Sequence, residues 1–206
     1  MAQVRPIIRT ISPVERACRR IDNLAKGRAM PLTYESINAD VRRCMLDELA
    51  IDVANHTLYV SPRLIDGAST QWEGLLREAV ATHDDAWLAT ETRRRGLIRA
   101  QEQRRTKNGG TSTVAVPHTA ADTLADGEFN RLYARGLCAH VLATGGHEVE
   151  VYRGRDSANP RPSSEELIGR RFPAKALLDD LRTSQGVETS LGLPPGPNSG
   201  LTVRRV

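Results

Sequence analysis

From Ala120 to Ala143 the chain carries its most regular pattern. Leu124, Phe129, Leu132, Tyr133, Leu137, His140 and Val141 recur at three- and four-residue steps. That spacing gathers them on one side of a helix, and Gly145-Gly146 supplies its stop. Strand signals elsewhere are short and few. A long helix with so little strand excludes a large sheet. It predicts an α+β fold, mostly helical, with two small strand regions.

The remaining segments follow the same logic. Ser12-Pro13, with Glu15 three residues on, reads as a capped helix start that Gly27 closes, after an extended arm over residues 1–11. Ile37, Val41, Met45 and Leu49 predict a helix over about 34–50. Thr57-Leu58-Tyr59-Val60 predicts a strand. Trp72, Leu75, Leu76, Ala79 and Val80 predict a helix opening near Ser69. His83-Asp84-Asp85 then breaks the chain and caps another helix that runs into the basic stretch. Asn108 to Thr113 reads as a flexible loop between two halves. Glu148 to Tyr152 alternates as a strand does, and 173–182 predicts a last short helix. The tail from Gly192 to Gly200 is too rich in Pro and Gly for helix or central strand. The expected organisation is a helical half at 1–107 with a basic arm and basic helix end, a linker at 108–118, an α+β half at 119–191, and an extended tail at 192–206.

Hydrophobic residues make 39% of the 206 positions and aromatics 4%, so the core must rest on Leu, Val, Ile and Ala. No apolar run approaches the 18 residues or so that a membrane span needs, and Arg5, Pro6 and Arg9 interrupt any secretory signal. Cys18, Cys44 and Cys138 are few, odd in number and far apart. A disulfide framework and a zinc site are therefore not expected, and the thiols suit a reducing cytoplasm.

The net charge of +4 is unevenly placed. One basic cluster lies in residues 1–28. The sharper one comprises Arg93, Arg94, Arg95, Arg99, Arg104, Arg105 and Lys107, answered within 93–107 by Glu102 alone. Such a stretch repels itself and invites an acidic partner, nucleic acid among them. No aromatic is interleaved, which argues against a base-stacking platform.

Other constellations are weaker. The Gly109-Gly110 loop lacks the Lys-Ser/Thr of a phosphate-binding loop. Cys138 and His140 are two apart on a helix and point to different faces. Glu128, Glu148 and Glu150, with Arg153, would suit a metal-dependent nuclease if the long helix packed on the strand after it. Tyr152-Arg153-Gly154-Arg155 is similar to the arginine motif of ADP-ribosyltransferases, but the Ser/Thr element at Thr111–Thr113 precedes it where that family has it following. No catalytic residue, metal site or cofactor is expected.

The run from Gly127 to Cys138 (Gly-Glu-Phe-Asn-Arg-Leu-Tyr-Ala-Arg-Gly-Leu-Cys), the Tyr152-Arg153 strand, the Leu177-to-Arg182 helix and the Gly/Pro tail resemble uncharacterised proteins of tailed phages and prophages, over roughly residues 112–206. The resemblance implies a virion or assembly role and carries no catalytic residues. An extended tail becomes ordered when neighbours bury it. Leu193, Pro194, Pro195, Pro197, Leu201 and Val203 are accordingly expected as subunit contacts. The expected function is a non-enzymatic structural or assembly protein of a phage head, neck or tail. Its expected partners are copies of itself, other assembly proteins and DNA, with no membrane. Its expected location is the bacterial host cytoplasm or the virion. The alternatives are a nucleic-acid-binding accessory or regulatory protein and, after it, the metal-dependent nuclease.

Overall fold

A computed structural model describes residues 32–107, 109–156, 162–185, 189–193 and 199–206. The arm at 1–11, the helix opening at Ser12, and Pro194, Pro195 and Pro197 lie outside these residues. The fold is α+β and mostly helical. Among the described residues its elements are α1 (Ala39–Ala54), α2 (Ser69–Thr82), α3 (Asp85–Arg94), β1 (Gln101–Arg105), β2 (Thr111–Ala115), α4 (Ala120–Ala143), β3 (Glu148–Arg153), α5 (Pro162–Glu165), β4 (Arg171–Pro173), α6 (Ala174–Thr183) and β5 (Leu201–Arg205).

The long helix α4 spans the residues its pattern predicts, and it is the axis of the molecule. Helices α1, α3 and α6 pack along it, and β5 lies against it. Its burial is nearly all-round. Phe129, Leu132, Tyr133, Leu137 and Cys138 are inaccessible, and so is Arg135. One continuous apolar cluster runs from Leu32, Met45, Leu76 and Leu97 to Leu132, Val151, Leu177 and Val203. Residues on both sides of the 108–118 segment thus share a single core.

Helices α1 and α4 approach closely because residue 136 is glycine. A Cβ there would stand 2.4 Å from Met45 Cγ and 2.7 Å from the Met45 backbone nitrogen. Helix α1 begins five residues later than the apolar pattern predicts. Before it the chain turns at residues 35–36, where Ile37 N–H donates to the Tyr34 carbonyl at 3.3 Å, and two phenols hold residues 33–36 in place. Tyr152 Oη donates to the Thr33 carbonyl and accepts from Glu35 N–H at 2.9 Å, and Tyr133 Oη accepts from Ser36 N–H at 3.2 Å. Asn38 then caps the helix by accepting from Val41 N–H at 2.9 Å. Helix α2 buries the five residues its spacing predicts, and Asp84 caps α3 through Trp87 N–H at 2.8 Å.

Several expectations are corrected. Thr57–Val60 has β-type residues but no partner strand among the described residues. Its groups go elsewhere: Thr57 N–H donates to the Asp52 carbonyl at 2.8 Å, and the Tyr59 carbonyl accepts from Trp72 Nε1 at 3.0 Å. The basic helix ends at Arg94, because Gly96 (φ +64°) turns the chain out of it. Leu97 is buried and Ile98 bridges to Leu64. Thr111–Thr113, read as loop, belong to β2, which pairs antiparallel with β1 from Gln101–Ala115 to Arg105–Thr111.

The second sheet has the order β4-β3-β5 with β3 central and both pairings antiparallel. Val149 and Val151 turn inward, while Glu148 and Glu150 are more exposed. The end of the tail is this sheet's third strand. Gly200 (φ +71°) accepts from Gly154 N–H at 2.8 Å, and a Cβ on it would collide with the Arg155 carbonyl at 2.2 Å. Asn130 of α4 then holds β5 from beneath, donating to the Leu201 carbonyl at 2.9 Å and accepting from Thr202 Oγ1 at 2.6 Å.

Candidate functional site

The basic stretch divides into two parts that sequence could not separate. Its first four arginines face carboxylates or carbonyls of their own chain. Arg93 meets Asp122 at 2.5 Å, and Arg94 and Arg95 share Glu91 at 2.7 and 3.3 Å. Arg99 donates to the Leu64 carbonyl at 2.8 and 3.0 Å and reaches Asp66 at 3.0 Å. These pairs are surface-exposed and screened by solvent, so each adds little to stability. Their larger effect is to cancel the local field.

Arg104, Arg105 and Lys107 are different. They sit on β1 and its turn, are exposed, and form no ion pair among the described residues. Glu102 lies on the same ribbon face as Arg104 but is already held in a two-pronged pair by Arg63, at 2.6 and 3.0 Å. The ribbon's chemistry is uniform beyond that pair. Positions 103–113 are Gln, Arg, Arg, Thr, Lys, Asn, Gly, Gly, Thr, Ser and Thr, with no acid and no large apolar residue. The strands pair chiefly with each other, and every residue of the two except Glu102 and Val114 is exposed. Thr106 closes the turn through both its N–H and its hydroxyl, which donate to the Gly110 carbonyl at 2.8 and 3.1 Å.

A second group of charges is buried. Between α1, α4 and α6, Arg135 binds Glu48 at 2.8 Å and Asp52 at 2.6 Å, while Arg131 binds Glu128 at 2.9 Å and Asp52 at 3.3 Å. Arg182 closes the set on Glu48 at 2.5 Å, and Gln185 donates to Asp52 at 2.8 Å. Three carboxylates thus face three guanidinium groups. Burial pushes the Glu48 carboxyl up, but hydrogen bonds from Arg182 and Arg135 outweigh it and leave it below its ordinary value. Arg131 keeps one buried nitrogen, Nη1, without a partner among the described residues. Sequence reasoning missed this layer. The available signal was the placement of Arg131 and Arg135 one turn apart, beside the apolar stripe of the longest helix.

A third group lies where residues 32–34 meet the start of α3. Leu32 N–H donates to Asp85 Oδ2 at 3.4 Å, while Asp85 Oδ1 and Tyr34 Oη are buried with no hydrogen-bond partner among the described residues. Burial, and then the Asp126 carboxylate, raise the Asp85 carboxyl to about 7. Burial and then Asp85 raise the Tyr34 phenol well above its ordinary value. Asp126 itself binds Arg155 at 2.9 Å.

The remaining sequence candidates are not brought together. Glu128 turns into the buried layer, whereas Glu150 pairs with Arg204 at 2.6 Å and Glu148 sits near Arg171 at 4.0 Å. The helix does not place Glu128 beside the strand's carboxylates, and among the described residues no group of three His, Cys, Asp or Glu could hold a metal. Arg153 binds Glu165. Cys44 and Cys138 are free thiols, and burial raises Cys138 to about 12. The expected subunit contacts Leu193, Leu201 and Val203 are inside this chain's own core, at 1–3% exposure. The pattern of the tail could not reveal that β3 lacked a partner on one edge and would take β5.

No described helix is long and apolar enough to cross a membrane. Comparison of the chain with protein-family models, curated proteins and solved structures finds no match.

Proposed function

We propose that this chain is a non-enzymatic structural or assembly protein. It works as one piece of an oligomeric assembly, a tailed-phage particle at its head, neck or tail, within a bacterial host or in the virion. The observation that carries the reading is the β1–β2 ribbon. A lone two-stranded ribbon is marginally stable in water, and this one makes little use of the body beside it. It is built as an arm for another component of the particle. The body supports the same reading. Its buried charges neutralise one another across α1, α4 and α6, which fixes how those helices seat and gives the arm a firm mount. The resemblance of residues 112–206 to tailed-phage proteins agrees with this.

Sedimentation velocity of the purified chain tests the proposal. Discrete species above the monomer are expected to grow with concentration. A monomer at every concentration overturns it.

A further inference from the structure

The ribbon's chemistry selects among partners. An apolar protein surface has nothing to meet on it, because positions 103–113 carry no large apolar side chain. Strand addition along its edges is disfavoured, since exposed cations on edge strands deter open-ended pairing. What the ribbon offers is donors: Arg104, Arg105, Lys107 and a row of Thr, Ser and Gln, with no carboxylate beyond Glu102. These are the groups that meet phosphate oxygens.

The two faces are unequal. Alternation puts Gln101, Gln103 and Arg105 on one face, opposite Ala115, Thr113 and Thr111. On that face Gln103 Nε2 donates to Thr113 Oγ1 at 2.9 Å, which aligns both side chains. The other face begins with Glu102 bound to Arg63 near the body and carries Arg104, exposed, further toward the turn. The first face is polar, hydroxyl-rich and free of acid, and each face presents one exposed arginine to solvent. A two-stranded ribbon has the width that the major groove of duplex DNA admits. Single strands are bound by stacking their bases on aromatic rings, and the ribbon has none.

We infer that the β1–β2 ribbon binds the phosphate backbone of duplex nucleic acid through Arg104, Arg105 and Lys107. The inference rests on reading the ribbon as a contact arm and gives that arm its partner. Affinity is independent of sequence in the first instance, because phosphate contacts position a protein without reading bases.

Fluorescence anisotropy of the full chain with a labelled duplex of about 20 base pairs tests it. Three phosphate contacts give a slope of log affinity against log salt of about −2.7, a fall of roughly 40-fold between about 50 and 200 mM salt. The variant Arg104→Glu/Arg105→Glu/Lys107→Glu should lose at least about tenfold in affinity and flatten the slope by about that amount. Its thermal midpoint, followed in parallel, should match the parent. The pair Arg94→Glu/Arg95→Glu, whose arginines already face Glu91, should stay within about threefold of the parent. Equal affinity of the ribbon variant and the parent overturns the inference. So does tighter binding to a single strand of the same length, or binding to poly-glutamate with no binding to the duplex. A monomer that binds duplex through the ribbon removes the assembly reading and leaves this one standing. An oligomer that ignores duplex does the reverse.

Discussion

Arginine does opposite work in two parts of this molecule. On α4, Arg131 and Arg135 are buried between Glu48, Asp52 and Glu128, and their charge is cancelled at hydrogen-bond distance. On the ribbon, Arg104 and Arg105 are exposed and no carboxylate pairs with them among the described residues. The first pair belongs to the packing. Removing one partner there strands a charge in a medium that cannot solvate it. The second pair costs the fold almost nothing, and its field extends into solvent. The difference is set by neighbours distant in sequence, since Glu48 and Asp52 lie more than 80 residues before Arg135.

The contrast predicts its own largest effect. Arg135→Met keeps volume but leaves Glu48 with Arg182 and Asp52 with Arg131. We expect a loss of about 3–5 kcal/mol in urea unfolding, the usual cost of breaking a buried pair from one side. A midpoint within about 0.5 kcal/mol of the parent would show that the layer is hydrated and the comparison wrong.

The buried part is not uniformly neutralised, and Asp85 is where it fails. A carboxyl raised to about 7 in the folded state, against about 4 unfolded, binds its proton more tightly when folded. Its contribution to stability is therefore complete below pH 4 or so and is lost as pH rises through about 7. Between about pH 5 and 8.5 the chain should lose on the order of 2–4 kcal/mol through this group, and Asp85→Asn should abolish that loss. Glu48 has the opposite sign. It is held below its ordinary value, so its stabilisation is present above about pH 4.5 and fades in stronger acid. Unfolding of both proteins at about pH 5 and 8.5 decides the Asp85 case. An equal slope in parent and variant would sink it.

Two glycines of α4 sharpen how tightly the body is built. Gly136→Ala improves helix propensity yet places a methyl against Met45 backbone, so a net loss of about 1–3 kcal/mol is expected. Gly127→Ala, on the same helix, meets nothing within 4 Å and should gain about 0.5–1 kcal/mol. Thermal melts with the same sign for both would mean that α1 can slide away from α4.

Much of the body was legible in the sequence because it is encoded locally. The α4 stripe, the buried face of α2 and the Asp84 cap follow from periodicity and side-chain chemistry. What was not legible depends on pairing. Thr57–Val60 looked like a strand but met no partner among the described residues. Leu201–Arg205 looked like a tail yet found the open edge of β3. The ribbon hid behind its composition, since Gln, Arg and Thr give no apolar alternation when both faces meet water. The seven cations of the basic stretch were visible as a run, but their division into cancelled and free was not. That division depends on Glu91, Asp122, Asp66 and Arg63, which pattern alone does not place beside them.

The smallest expected effect is the most direct test of the comparison. Val116 N–H donates to the Ala100 carbonyl at 3.0 Å, so the two ends of the ribbon already stand side by side. Replacing residues 101–115 by Asn-Gly should close that gap with a two-residue turn. The body loses the Arg63–Glu102 pair, a surface interaction that solvent screens. For a chain of this size the thermal midpoint should move by no more than about 2–4 °C. Near-ultraviolet circular dichroism from Trp72 and Trp87 should be unchanged, while duplex affinity is lost. A drop beyond about 8 °C, or loss of the aromatic signal, would make the ribbon part of the folding unit. Its arginines would then hold the body together, as those of α4 do.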